Sequence, residues 1–143
     1  MKISTRGRYS LRMMLDLAMH YNDGYIALKD ISARQNISKK YLEQIIPFLN
    51  RGGLLITSRG HMGGYRLSKK PSDITVKDIL LSAEGSLAPV SCMDNEPNMC
   101  EKCETCITLP IYKELYNVID NYLSSVSLQD IIDRNSDSYD YSI

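Results

Sequence analysis

Apolar residues at intervals of three or four predict two amphipathic helices at the start of the chain. The first helix is expected over residues 5–21, and its apolar positions are Leu11, Met14, Leu15 and Ala18. The turn-forming sequence Asn22-Asp23-Gly24 should end it. The second helix is shorter, and its apolar positions are Leu28, Ile31 and Ala33.

A third helix follows closely, so the second and third helices are expected to form a helix-turn-helix motif. Asn36-Ile37-Ser38 breaks the chain between them, and the side chain of Ser38 is suited to cap the third helix. Pro47 lies inside the third helix and should bend its second half. The apolar stripe of this helix consists of Leu42, Ile45, Ile46 and Leu49.

The outward first turn of the third helix has the chemistry of a DNA-reading surface. In a helix-turn-helix motif this turn meets base edges in the major groove. Two cations can bind phosphates, an amide suits adenine, and a carboxylate can accept a hydrogen bond from cytosine. The outward residues are Ser38, Lys39, Lys40, Tyr41, Glu43 and Gln44.

Two short β-prone runs after the third helix predict a hairpin, which would form a wing beside the helix-turn-helix. The sequence between them is basic and rich in glycine, and Arg59 is placed to enter a narrow minor groove. The candidate contacts in the wing are Arg59, Gly60, His61, Gly63 and Gly64. We therefore expect a mainly α fold with a small β wing, in which residues 1–70 form a winged helix-turn-helix DNA-binding domain; an ordinary surface hairpin is the alternative.

Residues 71–143 form the second expected unit, which has regulatory and dimerisation roles. A short helix around Val76–Leu80 precedes a loop at 84–108, which lacks periodicity. A helix at 110–124 follows, with apolar residues at the spacing of paired helices, namely Ile111, Leu115, Val118 and Tyr122. This seam indicates dimerisation, and packing onto its own domain is the alternative. A final short helix near Leu128–Ile132 should precede a polar tail at 135–143.

The formal charge is zero in sum but divided along the chain. Residues 1–70 carry 13 Lys and Arg against 4 Asp and Glu, whereas residues 71–143 carry 4 against 13. A basic surface displaces counterions from phosphates, so the first half is expected to bind double-stranded DNA. Attraction between the two halves is the other interpretation.

All four cysteines lie in the predicted loop, at Cys92, Cys100, Cys103 and Cys106. The last three have C-x2-C-x2-C spacing, and thiolates bind soft metals, so the loop predicts a metal site. Four thiolates could hold zinc, and the spacing also begins the ferredoxin cluster run, although Pro110 replaces its fourth cysteine. Nearby carboxylates disfavour free thiolates, which makes a metal-free thiol switch the lesser option.

The sequence favours neither a secreted, a membrane nor an enzymatic protein. Arg12 and Asp16 interrupt the first apolar stretch, and no apolar run approaches the roughly 20 residues that span a bilayer. We expect a cytoplasmic protein without membrane contact. His20 and His61 are the two histidines, and no nucleophile elbow or phosphate loop accompanies them, so no enzyme is expected.

With the wing and cysteines identified, the sequence resembles the IscR/NsrR/CymR family of bacterial winged helix-turn-helix transcriptional regulators. The resemblance covers nearly the whole chain, including MKISTRGRYSLRMM, YLEQII and LLITSRGHMGGYRL. It implies a homodimeric repressor that binds a palindromic operator. The positions that match DNA contacts of the family are Ser38, Tyr41, Glu43, Gln44, Arg59 and Gly60.

The resemblance also implies a cofactor, because the IscR-type members hold an iron–sulfur cluster through three cysteines. Cys92, Cys100 and Cys106 match these ligands. Leu109 replaces the histidine expected as the fourth ligand, and Cys103 is the candidate substitute. A 2Fe-2S cluster is favoured over a 4Fe-4S cluster, with zinc as the alternative. Such a cluster would report iron–sulfur status, oxygen or nitric oxide.

The C-terminal residues resemble a different branch of the same family. CymR-type members lack the cysteine loop and end in an aromatic-rich segment that closes with Ile, as do Tyr141, Ser142 and Ile143 here. The resemblance implies that this tail binds cysteine synthase by its terminal carboxylate. A cysteine-metabolism repressor is therefore the alternative function, and a solvated tail is the alternative interpretation.

Overall fold

Helices and one hairpin follow one another in the order that the apolar pattern predicts. The structure, a computed structural model, describes residues 2–95, 97–98 and 100–141, with side chains through Ser136. The helices are α1 (Thr5–Met19), α2 (Leu28–Gln35), α3 (Lys39–Arg51), α4 (Val76–Glu84), α5 (Leu109–Ser125) and α6 (Leu128–Tyr141), and the strands are β1 (Leu55–Ser58) and β2 (Gly64–Leu67). The expected class, mainly α with a small β wing, is confirmed.

The turn between α2 and α3 has the local features expected of a helix-turn-helix. Asn36 adopts the left-handed conformation, with φ of 53°, and ends α2. The Ser38 hydroxyl accepts a hydrogen bond from the Tyr41 backbone N–H at 3.1 Å, so the predicted cap is confirmed. Helix α3 continues through Pro47 and ends at Arg51.

The wing is a two-stranded antiparallel sheet that is anchored to the segment before α2. Leu55 pairs with Leu67, and Ser58 pairs with Gly64. The Ile26 backbone adds a bridge to Tyr65, with both N–H to O=C distances at 2.9 Å. The wing therefore has a fixed position relative to the helix-turn-helix.

One apolar core joins the winged helix to later parts of the chain. Its most deeply buried side chains come from α1, α2, α3, α4, α6 and the segment before α4, and they include Met13, Leu17, Ile31, Leu42, Ile45, Leu49, Ile74, Ile79 and Leu128. Full burial of such a side chain is worth about 1.5–3 kcal/mol. Helices α4 and α6 thus help to support α1 and α3, and the division of domains at residues 70 and 71 stays a prediction.

In the second half of the chain, α4 is short as predicted, whereas the last helix is longer than predicted. Thr75 and Asp78 form a capping box at the start of α4, and Gly85, with φ of 82°, ends this helix as the loop begins. Helix α6 extends to Tyr141, so the last helix is longer than predicted and includes most of the expected polar tail. Ser142 and Ile143 lie outside the described residues.

Across the described ranges, none of the helices combines the length and the apolar character needed to cross a membrane.

Candidate nucleic-acid interface and cysteine loop

The first turn of α3 presents the predicted DNA-reading residues on the side opposite to the core. Tyr41 is half-buried, and the remaining members are exposed, namely Ser38, Lys39, Lys40, Glu43 and Gln44. On the opposite side Leu42 and Ile45 are fully buried. The buried stripe fixes the rotation of the helix about its axis, and this leaves the polar residues together on one open surface.

The wing tip is open at one end and tightly packed at the other. Arg59, Gly60 and His61 are exposed, and Gly60 has a φ of 107° that favours glycine. Gly63 is half-buried, whereas Gly64 is buried in β2, where an added Cβ would clash with the carbonyl oxygen of Ile26. The structure therefore gives Gly64 a role in packing the wing, because its backbone is not open to a ligand.

Helix α1 lies beside α3, and the two helices run antiparallel along their shared contacts. The rings of Tyr9 and Tyr41 meet edge to face, with centroids 5.4 Å apart and an interplanar angle of 76°. Further along, the Arg6 guanidinium lies 4.2 Å from the Phe48 ring centroid, and its Nε donates to the Ala83 carbonyl at 2.8 Å. Helix α1 thus borders the surface that carries the candidate base contacts.

A buried carboxylate fixes α2 against α1. Asp16 is 2% exposed, and the Arg34 guanidinium binds both of its oxygens, at 2.9 and 2.7 Å. The Gln35 amide adds a hydrogen bond at 3.0 Å. Burial alone would raise the pKa of Asp16, but the hydrogen bonds from Arg34 and Gln35 outweigh it, and the pKa lies below its ordinary value. Sequence reasoning did not single out Asp16, although a carboxylate among the apolar positions of α1 was a usable signal.

The cysteine loop holds four free, half-buried thiols between α4 and α5. Asn98 organises part of it, since its Oδ1 accepts from the Cys100 N–H at 2.8 Å and its carbonyl lies 4.0 Å from the Cys103 Sγ. Across the described part of the chain, no three or more His, Cys, Asp or Glu side chains form a group that could hold a metal ion. The predicted ligands share one loop, but their sulfur atoms are not assembled into a site.

Cys106 differs from the other cysteines in its electrostatic surroundings. Its Sγ lies 3.3 Å from the Thr108 hydroxyl, just before the start of α5. Hydrogen bonds from the Thr108 side chain and backbone lower the pKa of the Cys106 thiol. This is contrary to the effect expected from the nearby carboxylates. Leu109, at the position where a histidine ligand was expected, is 6% exposed and packs at the start of α5.

The predicted seam of α5 does not pack onto its own chain. Ile111 is 62% exposed, Leu115 44%, Val118 65% and Tyr122 59%. On another side of the same helix, Asp120 Oδ1 lies 2.5 Å from the Lys77 Nζ of α4. Helix α5 is thus attached to the rest of the protein along one side and open along its apolar side.

The comparisons with known proteins agree with this geometry. The model of the Rrf2 family, described as an iron-dependent transcriptional regulator, matches residues 3–134. The Rrf2 protein of Nitratidesulfovibrio vulgaris is 39% identical over 132 residues, which cover 92% of this chain and 87% of that protein. The transcriptional regulator IscR of Photorhabdus laumondii is 36% identical over 134 residues, covering 94% of this chain and 80% of IscR.

Two solved structures are also similar to this chain. The structure of T. potens IscR has a TM-score of 0.78 and 35% identity, and the match covers 96% of this chain and 90% of that one. The structure of CymR, described as the global cysteine regulator of B. subtilis, has a TM-score of 0.69 and 36% identity, with 92% and 95% covered. The relatives and structures are regulators rather than enzymes, which agrees with the expected absence of catalysis.

Proposed function

The chain belongs to the Rrf2 family of transcriptional regulators, and we propose that it is a homodimeric repressor whose cysteine loop senses iron–sulfur status, oxygen or nitric oxide. Regulation of transcription through DNA binding follows from the family. The sensing role is supported by the four free thiols that separate α4 from α5. This placement of the thiols is the observation that carries the proposal.

The proposed contacts with DNA are those of α3 and the wing. Gln44 and Glu43 would read base edges in the major groove, and Lys39 and Lys40 would bind phosphates. Arg59 would enter the adjacent minor groove, with Ser38, Tyr41, Gly60, His61 and Gly63 beside these residues. Because a two-fold dimer presents two such surfaces, the operator is expected to be palindromic.

The proposed dimer forms through the open side of α5. Four apolar side chains at helical spacing are 44–65% exposed there, so burying the rest of each would contribute roughly half of the 1.5–3 kcal/mol that full burial of an apolar side chain is worth. Spacings of four, three and four residues between them are typical of paired helices. A second copy of the chain offers the same face, which suits a closed two-fold interface.

The cysteines fit an iron–sulfur cluster by the chemistry of their donor atoms, since all four thiols are free and sulfur is the preferred ligand of such clusters. Cys92, Cys100 and Cys106 would hold it, with Cys103 as the fourth ligand in place of the histidine that is absent at Leu109. A 2Fe-2S cluster is favoured over 4Fe-4S, and zinc is the alternative. When bound, an iron–sulfur cluster supplies a redox-active centre to the loop.

The residues around the loop can transmit a change in its conformation. The loop begins at Gly85 after α4 and ends at Thr108 before α5. Helix α4 packs in the same core as α3 through Ile79, and Lys77 holds it to Asp120 of α5. A change in the loop therefore reaches both the proposed dimer helix and the support of α3.

The sensing proposal is tested by anaerobic purification and visible spectroscopy. We expect a brown wild-type protein, a bleached Cys92→Ala variant and an unchanged Thr105→Ala control, which alters the same loop without removing a thiol. DNA affinity, measured by gel shift on a duplex selected from a random library, should change with Cys92→Ala and not with Thr105→Ala. A colourless zinc protein with intact DNA binding would contradict the cluster and leave DNA binding in place.

A second candidate function is a cysteine-metabolism repressor that acts with cysteine synthase through the tail. The similarity to the B. subtilis CymR structure, which is as high in identity as that to T. potens IscR, favours it. Its test is calorimetry with cysteine synthase, comparing the full chain with a form that lacks Ile143. Heat from the full chain alone would support this candidate, and no heat from either form would exclude it.

A further inference from the structure

Two arginines of α1 lie next to the proposed DNA surface, outside the contacts proposed for α3 and the wing. Arg8 and Arg12 are exposed and one turn apart. Their guanidinium carbons lie 5.9 and 5.3 Å from the centroid of the Tyr9 ring, which in turn contacts Tyr41 of α3. We refer to Arg8, Tyr9, Arg12 and Tyr41 as the arginine–tyrosine cluster.

Arg12 is tied to the turn of the helix-turn-helix. Its Nε donates to the Gln35 side-chain oxygen at 3.3 Å, and its terminal nitrogen donates to the Gln35 carbonyl. Gln35 is the last residue of α2 and also binds the buried Asp16. The Arg12 cation therefore lies where the chain turns from α2 towards the first turn of α3.

The two cations of the cluster lack counter-charges. In the part of the chain that the structure describes, neither Arg8 nor Arg12 forms an ion pair, whereas Arg34 is paired with Asp16. Arg8 donates to the Thr5 hydroxyl of its own helix at 3.0 Å. Two exposed guanidinium groups that rest against an aromatic ring are held in place without being neutralised.

This arrangement suits a phosphate better than a base edge. Guanidinium groups bind phosphate oxygens in a bidentate manner, and the ring beneath them reduces the entropy lost on binding. The cations lie on α1, off the base-reading turn of α3, and Arg12 binds Gln35 at the end of α2. The helix that precedes the recognition helix crosses the sugar–phosphate backbone in helix-turn-helix complexes, which brings phosphates near this end of α2.

We propose that the arginine–tyrosine cluster is a phosphate-binding site that extends the DNA interface from α3 onto α1, with Tyr9 as the residue that positions both arginines. The ligand is the phosphate backbone of duplex DNA, and the contact is independent of base sequence. The inference rests on the proposed contact of α3 with DNA. Its phosphate contacts would raise the affinity for DNA beyond what the contacts of α3 and the wing provide.

The test measures the affinity of the full chain for two labelled duplexes across a range of salt concentrations. One duplex is selected from a random library, and the other is a scrambled sequence of equal length. Arg8→Gln and Arg12→Gln should each weaken binding to both duplexes by the same factor, roughly three- to tenfold. Each should also reduce the slope of log affinity against log salt by about one for each protomer.

Matched variants separate charge, position and folding. Lys113→Gln on α5 removes the same charge away from α3 and should leave both curves unchanged. Arg12→Lys should keep the salt slope, because it keeps the charge. Tyr9→Leu should weaken binding, and Tyr9→Phe should restore it. The side-chain hydrogen bond of Arg8 goes to Thr5 of its own helix, and its ring contact is with Tyr9 of the same helix. Arg8→Gln is therefore the variant expected to disturb the fold least.

The outcomes distinguish this inference from the function on which it rests. If the wild type shows no salt-dependent affinity for either duplex, the proposed DNA-binding function fails. If the wild type binds and both glutamine variants keep its affinity and slope, only the phosphate site is overturned. Loss of affinity for the selected duplex alone would make the arginines base readers, and a change of oligomeric state alone would assign them to a second copy of the chain; each result overturns the inference.

Discussion

Two regions of the molecule differ in how fully they bury their apolar side chains and pair their buried polar groups. One is the winged-helix half, and the other is the segment from the cysteine loop through α5. In the first, the apolar stripe of α3 is buried, the stripe of α1 is buried at Met14 and Ala18 and half-buried at Leu11 and Leu15, and the buried Asp16 has three hydrogen bonds from Arg34 and Gln35. In the described residues from 85 to 125, Leu87 and Leu109 are the buried apolar side chains. The same segment contains the four free thiols and the exposed apolar face of α5.

The difference indicates which half depends on something outside the chain. A region that buries its apolar side chains and satisfies its buried carboxylate with hydrogen bonds can hold its shape alone. A region with an open apolar face and free thiols has side chains that a partner or a ligand could still satisfy. We therefore expect substitutions in the first region to alter folding, and substitutions in the second to alter assembly and ligand binding.

The largest expected effect comes from a cavity in the first region. Leu42 of α3 is fully buried, so Leu42→Ala should lower the free energy of unfolding by about 2–5 kcal/mol. Val118→Ala on the exposed face of α5 should change it by no more than about 0.5 kcal/mol when measured at a concentration where the protein is monomeric. Urea unfolding measures both. Equal losses would remove the distinction between the two regions.

The next effect concerns the buried carboxylate and its pH dependence. The pKa of Asp16 in the folded protein lies below its ordinary value of 3.8, so its charged form stabilises the fold at neutral pH. This contribution disappears as the pH falls below that value towards the folded-state pKa. Asp16→Asn should cost about 1–3 kcal/mol at neutral pH and make stability less dependent on acid.

The matched control for Asp16 is Asp73→Asn, which changes an exposed carboxylate before α4. Unfolding is followed from neutral pH to below 3.8 for both variants and the wild type. If Asp73→Asn flattens the pH dependence as much as Asp16→Asn, the clamp between α1 and α2 does not stabilise the fold.

A charge on the exposed apolar face of α5 tests whether this face forms the dimer interface. Val118→Asp should weaken self-association by roughly tenfold or more, because the interface would bury an unpaired carboxylate. Its effect on the unfolding of the monomer should be small. Sedimentation equilibrium measures the association, and Asn117→Asp, which adds the same charge one position away, serves as the control. Unchanged association of Val118→Asp would place the dimer interface elsewhere.

The smallest effect compares Ser4, the N-cap residue of α1, with Ser10 inside this helix. Ser4 caps α1 by accepting a hydrogen bond from the Gly7 N–H, so Ser4→Ala should cost about 1 kcal/mol. The Ser10 hydroxyl is fully buried and has no hydrogen-bond partner within the described residues. Ser10→Ala should therefore be neutral or stabilise the protein by up to about 1 kcal/mol. A loss at Ser10 as large as that at Ser4 would indicate a partner for this hydroxyl.

Local pattern predicted the winged helix well because each of its elements has a local cause. The cap at Ser38 and the hairpin around the glycine-rich tip each follow from a few neighbouring residues. The lack of apolar periodicity over residues 84–108 placed the cysteines on a loop. The extent of α6 was missed because its last residues are polar, and a polar helix has no apolar stripe to reveal it.

Contacts between distant parts of the sequence could not be predicted in this way. Arg34 binds Asp16 across 18 positions, and Arg6 reaches the carbonyl of Ala83 across 77. The burial of Gly64 likewise depends on Ile26, which lies before the helix-turn-helix, whereas Gly64 lies after it. Such pairs depend on how the helices pack, and one sequence alone does not contain that information.

Two linked properties are central to the proposed function: the basic winged helix binds a duplex, and the cysteine loop alters this binding. The direct measurement is the affinity for a library-selected duplex as a function of salt, with anaerobic wild-type protein and Cys92→Ala side by side. We predict a steep linear fall of log affinity with log salt for the wild type and a different affinity for the variant. Affinity that is absent or independent of salt in both proteins would contradict DNA binding by the winged helix, and equal affinities would contradict the effect of the cysteine loop.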